Sequence, residues 1–279
     1  MGAAEAQELL ATLRQELGIQ TSFTQLLLAF ALLMARLLPV IILTPFLGGE
    51  TVPQEVKLGL GVMVGMVLYP VIITQVRDIP VNALLFIALM LKELFIGLTL
   101  SFIVGMVFDA ANSAGNLVDT LSGTNQAQLM VPQIGQNASL FSNLQLQFAT
   151  VVFLTLGGHH IVIQTMGDSL TMIPLGEFPK FSHGTWAFFE TALRVFGDLV
   201  RIALALASPV LLATFLVDLA LGMINRVAPQ VQVFFVAMQI KPAVTILIMV
   251  TAIHLILDRV VGEYGVMFRW LRQALYLLN

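Results

Sequence analysis

The chain has 279 residues, 58% of them hydrophobic and 10% charged, with a net charge of −3 and no cysteine. A soluble domain carries about 25% charged residues, so much of this surface must face lipid or other apolar protein. The balance of charge excludes a basic nucleic-acid field, and the lack of thiols excludes disulfides and thiolate metal sites.

The first 20 residues are acidic and amphipathic. They lack the basic start and short apolar core of a cleaved signal peptide, so the later apolar segments are expected to direct insertion. Six or seven such segments follow. Residues 24–46 are long enough to span a bilayer, although Arg36, Pro39 and Pro45 interrupt the second half. Residues 58–73 are short against the ~20 residues of a perpendicular span. Within them Gly61 and Gly65 form a small-xxx-small pair that lets another helix backbone approach. Residues 81–108 are too long for one straight span and carry the adjacent pair Lys92 and Glu93.

Residues 109–147 are polar where almost everything around them is apolar. They hold Asp109 and Asp119 and no lysine or arginine. Irregular backbone cannot face lipid, because each unpaired N–H or C=O there costs several kcal/mol. The stretch is expected to be a polar loop that lies in water, lines a cavity or packs inside other protein. Residues 148–156 are apolar for only nine positions and reach a spanning length only by including Asn143, Gln145 and Gln147. Gly157-Gly158 then reads as a bend or close contact.

In residues 186–204, Glu190, Arg194, Asp198 and Arg201 recur at spacings of four, four and three and share one helical face. That stripe is either solvated or a salt-bridged contact with a neighbouring subunit. Residues 209–224 are apolar around Asp218, and Pro229 halts helix propagation just after Asn225-Arg226. Asp218 and Arg226 lie two helical turns apart, so they are expected to pair with each other or with a neighbour. A further apolar run ends at Lys241-Pro242, residues 243–257 are cleanly apolar, and an amphipathic helix over about 258–278 closes the chain. Arg259, Arg269 and Arg272 near that end, against none in 109–139, favour a cytoplasmic C-terminus.

These charges inside apolar runs would each cost about 2.5–3.5 kcal/mol at the centre of a lipid-embedded helix. The uneven spans therefore point to helices packed against sister subunits. The expected fold class is all-α, with polytopic membrane-associated hairpins in a larger assembly. Enzyme motifs are missing: there is no HExxH, P-loop or GxSxG. Adjacent His159 and His160 would point about 100° apart on a helix, and no cofactor is expected.

The pattern also resembles a family, the type III secretion export-apparatus subunit SctT and its flagellar counterpart FliR. The resemblance rests on Asp218, on Asn225-Arg226-Val227-Ala228-Pro229-Gln230, on Val233-Phe234-Phe235 and on Lys241. It is supported by Arg36 to Pro45, by Lys92-Glu93, by Ala114 through Asp119 and by Gly157-Gly158. It covers about residues 22–265, leaving an N-terminal amphipathic extension, 1–21, and a C-terminal amphipathic tail, 266–279. In place of the family's phenylalanine-aspartate-proline element the chain reads Ala127-Gln128-Leu129-Met130-Val131-Pro132.

The resemblance implies one subunit of a conical helical export gate, partly periplasmic on a bacterial inner membrane. Its implied partners are the two smaller export-gate membrane subunits, the autoprotease switch subunit and secreted substrates in transit. The implied pore plug is a loop over about 122–137, with Leu129, Met130, Val131, Pro132, Gln133 and Ile134 at its centre. A closed gate wants adaptable apolar side chains on a polar loop, and methionine supplies one. The stretch from Gly157 to Gly176 and the Arg226 block lean towards the injectisome branch. The rival reading is a polytopic secondary transporter, with Arg36, Glu93 and Asp218 as an intramembrane charged site.

Overall fold

A computed structural model describes residues 23–47, 52–72, 82–124, 139–181 and 184–279. Among these, eight α-helices and one 3-10 turn account for the regular structure. They are α1 (Phe23–Leu43), α2 (Gln54–Ile72), α3 (Ala83–Ser122), α4 (Leu140–Thr155), α5 (Gly158–Met172), α6 (Thr185–Val227), α7 (Val233–Thr251) and α8 (Ile253–Leu278); the 3-10 turn, Pro45–Leu47, follows α1. The all-α expectation holds.

The central element is α3, which packs against α1, α4, α6 and α8. It starts where the Asn82 side chain accepts the Leu84 amide at 3.0 Å and stops at Gly123, whose φ of +76° only glycine adopts without strain. Between those signals run 40 residues, about 60 Å of helix and twice the hydrocarbon thickness of a bilayer. This corrects the expected loop after Phe108. Residues 109–122 continue the helix, whose own ladder satisfies their backbone, while Asn112 and Asp119 bond residues at the start of α4.

Other boundaries moved for similar reasons. The charged stretch 186–204 and the apolar stretch 209–224 are one helix, α6, of 43 residues. Proline at 209 removes an amide that would bond the Ala205 carbonyl, and the Ser208 hydroxyl donates to that carbonyl at 2.8 Å instead. Lys241 and Pro242 fall inside α7, not at the end of a run, and the break comes at Ala252. The end of α6 at Val227, ahead of Pro229, is as expected. The last helix, α8, is continuous through residue 266, and Leu271, Leu275 and Leu278 in its final turns are buried in the common core.

Five helices, α1, α2, α3, α6 and α7, are long and apolar enough to cross a membrane, and α4 with α5 would make a sixth, broken crossing. The α1–α2 contact uses the predicted glycines: a Cβ on Gly65 would fall 2.2 Å from the Met34 methyl, and one on Gly61 2.9 Å from Leu38. At the core's centre, the Phe153 ring lies 4.8 Å from Phe46, 5.2 Å from Phe108 and 5.3 Å from Tyr264. The Tyr264 hydroxyl donates to the Ala149 carbonyl at 2.8 Å, and burial pushes its phenol pKa well above the ordinary value.

Candidate functional site

Three residues singled out in the sequence converge in one buried cluster. Arg36 on α1 and Glu93 on α3 are both fully buried and form a two-pronged ion pair, with the second prong, Nη2 to Oε1, at 3.0 Å. The other guanidinium protons go to the end of α5. Nη1 donates to the Ser169 carbonyl at 2.7 Å and the Ser169 hydroxyl at 3.3 Å, while Nη2 donates to the Ile173 carbonyl at 2.9 Å. All five donors of the arginine fork are thus engaged. Lys92 pairs with the same Glu93 and donates to the carbonyls of Pro174, Leu175 and Glu177 at 3.0, 3.1 and 2.9 Å.

The cluster holds two cations and one carboxylate. The balance comes from α5, whose C-terminal carbonyls carry about half a negative charge. Arg36 caps that helix from α1, and Lys92 on α3 holds the turn that follows it. Every donor of Arg36 and Lys92 is spent inside the chain, and Asp218, the third charge of the transporter reading, pairs elsewhere with Lys241.

The second cluster is the mirror case, an anion at a helix start. Asp119 is fully buried on the last turn of α3. Its carboxylate accepts the amides of Phe141 at 3.3 Å and Ser142 at 3.1 Å, together with the Thr124 hydroxyl at 2.8 Å. Phe141 and Ser142 are the second and third residues of α4, whose own N-cap residue, Ser139, makes no side-chain cap bond. Asp119 thus does, from another helix, what an N-cap side chain does locally. One and two turns earlier on the same face stand Gly115 and Asn112. A Cβ on Gly115 would fall 2.2 Å from the Ser142 Cα, and the Ser142 hydroxyl bonds the Asn112 side chain and, at 3.2 Å, its carbonyl.

Between the clusters, α4 and α5 meet at Gly157-Gly158 with a bend of 71°. Gly157 has φ +70°, and a Cβ on Gly158 would fall 2.3 Å from the Phe153 ring, so both expected roles, bend and close contact, are found. His159 and His160 stand in the first turn of α5, with rings 4.1 Å apart and tilted by 39°.

At the other end of the molecule, Asp218 pairs with Lys241 of α7 at 2.7 Å. This corrects the expected Asp218–Arg226 pairing: α7 folds back along α6 and brings Lys241 closer. Asn225, Arg226, Pro229 and Gln230 are exposed around the α6–α7 turn. The α6 charge stripe divides in two. Glu190 and Arg194 form an exposed pair at 2.6 Å, whereas Asp198 accepts from Trp270 at 3.0 Å and Arg201 approaches Glu263 at 3.6 Å, both on α8. Leu129, Met130, Val131, Pro132, Gln133 and Ile134 lie outside the described residues.

Sequence reasoning missed Asn112, Ser142, Phe153 and Ser169. The spacing of Asn112, Gly115 and Asp119, three and then four residues, marks one helical face and was a usable signal. Ser169 acts partly through its backbone carbonyl, which no side-chain pattern reveals.

Residues 27–266 match the family described as bacterial export proteins, family 1. The chain belongs to this family. Among curated members, it is 30% identical to Yop proteins translocation protein T of Yersinia pestis over 226 residues, 80% of this chain and 85% of that one. It is 28% identical to flagellar biosynthetic protein FliR of Escherichia coli over 221 residues, 79% and 82% of the two chains. With the FliR of Bacillus subtilis it shares 27% identity over 262 residues, 92% and 98% of the two. The chain is thus similar to both translocation and flagellar proteins, and the family match takes in both charge clusters.

Proposed function

We propose that this chain is a subunit of a type III protein export apparatus that forms and gates an inner-membrane pore for unfolded substrates. The observation that carries the reading is the family match from residue 27 to 266, which takes in every described helix except parts of α1 and α8. Five helices able to cross a membrane accord with an inner-membrane setting. The two smaller export-gate membrane subunits, the autoprotease switch subunit and the passing substrates are its partners, and its C-terminus is cytoplasmic. Affinity purification in mild detergent tests this directly. Co-elution of two smaller apolar subunits is expected, and a chain that runs alone and monomeric overturns the reading.

In this reading the segment through Leu129, Met130, Val131, Pro132, Gln133 and Ile134 plugs the closed pore. Asp119 supports that role from outside the segment, because one carboxylate grips both Thr124 and the first turn of α4. It therefore fixes where the intervening stretch begins and ends. Deleting residues 128–135 should open a leak to small ions in a conductance measurement; a complex that stays sealed removes the plug from the proposal.

A further inference from the structure

Helices α4 and α5 are tied to α3 at their two outer ends, by charges of the sign that suits each helix dipole. Asp119 holds the start of α4, Arg36, tied to α3 by Glu93, holds the end of α5, and Lys92 holds the turn just after it. The two anchors on α3 lie 27 positions apart, about 40 Å along a helix axis. With 16 and 15 residues, α4 and α5 are about 24 and 22 Å long. Laid end to end they would reach about 46 Å, overshooting by roughly one helical turn. Bent by 71°, they reach about 38 Å. The bend is the angle at which both ends meet their anchors.

That bend is packed, not loose. Gly158 lies against the Phe153 ring, and the ring is wedged among Phe46, Phe108 and Tyr264. Close-packed interiors transmit displacement instead of absorbing it.

We propose that α4 and α5 form a rigid elbow coupling the two charge clusters. Releasing α4 from Asp119 loosens the grip of Arg36 and Lys92 on the end of α5, and the Phe153–Gly158 contact transmits the change. The proposal does not depend on what the chain exports.

The absence of cysteine makes the test clean. Single thiol reporters go in by Phe141→Cys beside the Asp119 anchor, Ile173→Cys beside the Arg36 anchor and Val210→Cys on α6, all buried positions. The rate of maleimide reaction is measured on the full chain in detergent, with and without Asp119→Ala. Rates at 141 and 173 should each rise about tenfold, the size of a lost helix cap, with the rate at 210 unchanged. Adding Phe153→Leu should cancel the rise at 173 and keep the rise at 141. A rise at 141 alone overturns the coupling, as does an equal rise at all three, which is general loosening. No rise at 141 overturns the anchor itself, and a rise at 173 that survives Phe153→Leu overturns the route. Should Asp119→Ala fail to fold, Asp119→Asn, which keeps one acceptor oxygen, is read for the same pattern with smaller rises.

Discussion

The carboxylate of Asp119 accepts the amide proton of Ser142 at 3.1 Å, across 23 positions of sequence. A helix start is thereby fixed by a residue on the preceding helix, and the connection between them can vary without moving the helix. Asp119→Ala removes the acceptor for two amides and should cost about 1–2 kcal/mol of stability, at the upper end for helix caps. Asp119→Asn, which keeps one acceptor oxygen, should cost less. Thermal unfolding in detergent ranks the two; equal losses would mean that the carboxylate's charge and second oxygen, and not one retained acceptor, carry the effect.

The Arg36–Glu93 pair has a different energetic character. Removing one partner of a buried ion pair typically costs about 3–5 kcal/mol, because the other charge stays behind unpaired. Glu93→Gln should be the worst single change, since it strands both Arg36 and Lys92. Arg36→Met with Glu93→Met should cost less than the sum of the two single changes, by about 1–3 kcal/mol. Denaturant titration of the four proteins closes the cycle, and strict additivity would show that the pair is not energetically coupled.

Two glycines should respond oppositely to the same methyl group. Gly115→Ala drives a Cβ to 2.2 Å from the Ser142 backbone, which cannot yield as a side chain could. A loss of about 1–3 kcal/mol or more is expected. Gly59 in α2 faces open space, with nothing within 4 Å of where a Cβ would stand, so Gly59→Ala should stabilise by up to about 1 kcal/mol through helix propensity. Melting temperatures of the two variants, compared with the parent chain, check both signs.

Asp218 and Lys241 make a contact within the chain, so exchanging the charges should preserve it. Asp218→Lys or Lys241→Asp alone places like charges together and should reduce recovery of folded protein from membranes. The double exchange should restore it. Failure of the exchange, with partners lost from a pull-down, would show that Asp218 faces another subunit.

Several of these relationships were legible in the sequence and others were not, for physical reasons. Arg36, Lys92 and Glu93 stood out because charges in apolar runs need partners, and the structure supplies them from within one chain. Gly157-Gly158 and Pro229 marked their breaks because each changes what the backbone can do. The continuation of α3 past Phe108 was hidden. Polarity reads as a loop when its partners are distant, and the partners of Asn112 and Asp119 at the start of α4 lie more than 20 positions away. The join between the two halves of α6 was hidden for a related reason. A change from charged to apolar composition looks like a boundary, yet the Ser208 hydroxyl covers the carbonyl that Pro209 leaves open.

That unbroken join makes α6 a depth gauge. Its 43 residues extend about 65 Å, against a hydrocarbon layer of about 30 Å. Glu190, Arg194 and Arg201 occupy one half, and exposed Leu212, Phe215, Leu216, Leu219 and Met223 the other. The second half carries two ions, Asp218 paired with Lys241 and Arg226 at its very end, against the four of the first, so it is the half that lipid covers at the smaller electrostatic cost. With that half covered by lipid, the waterline on α6 falls between Arg201 and Leu212, and everything rigidly attached to that helix inherits its height.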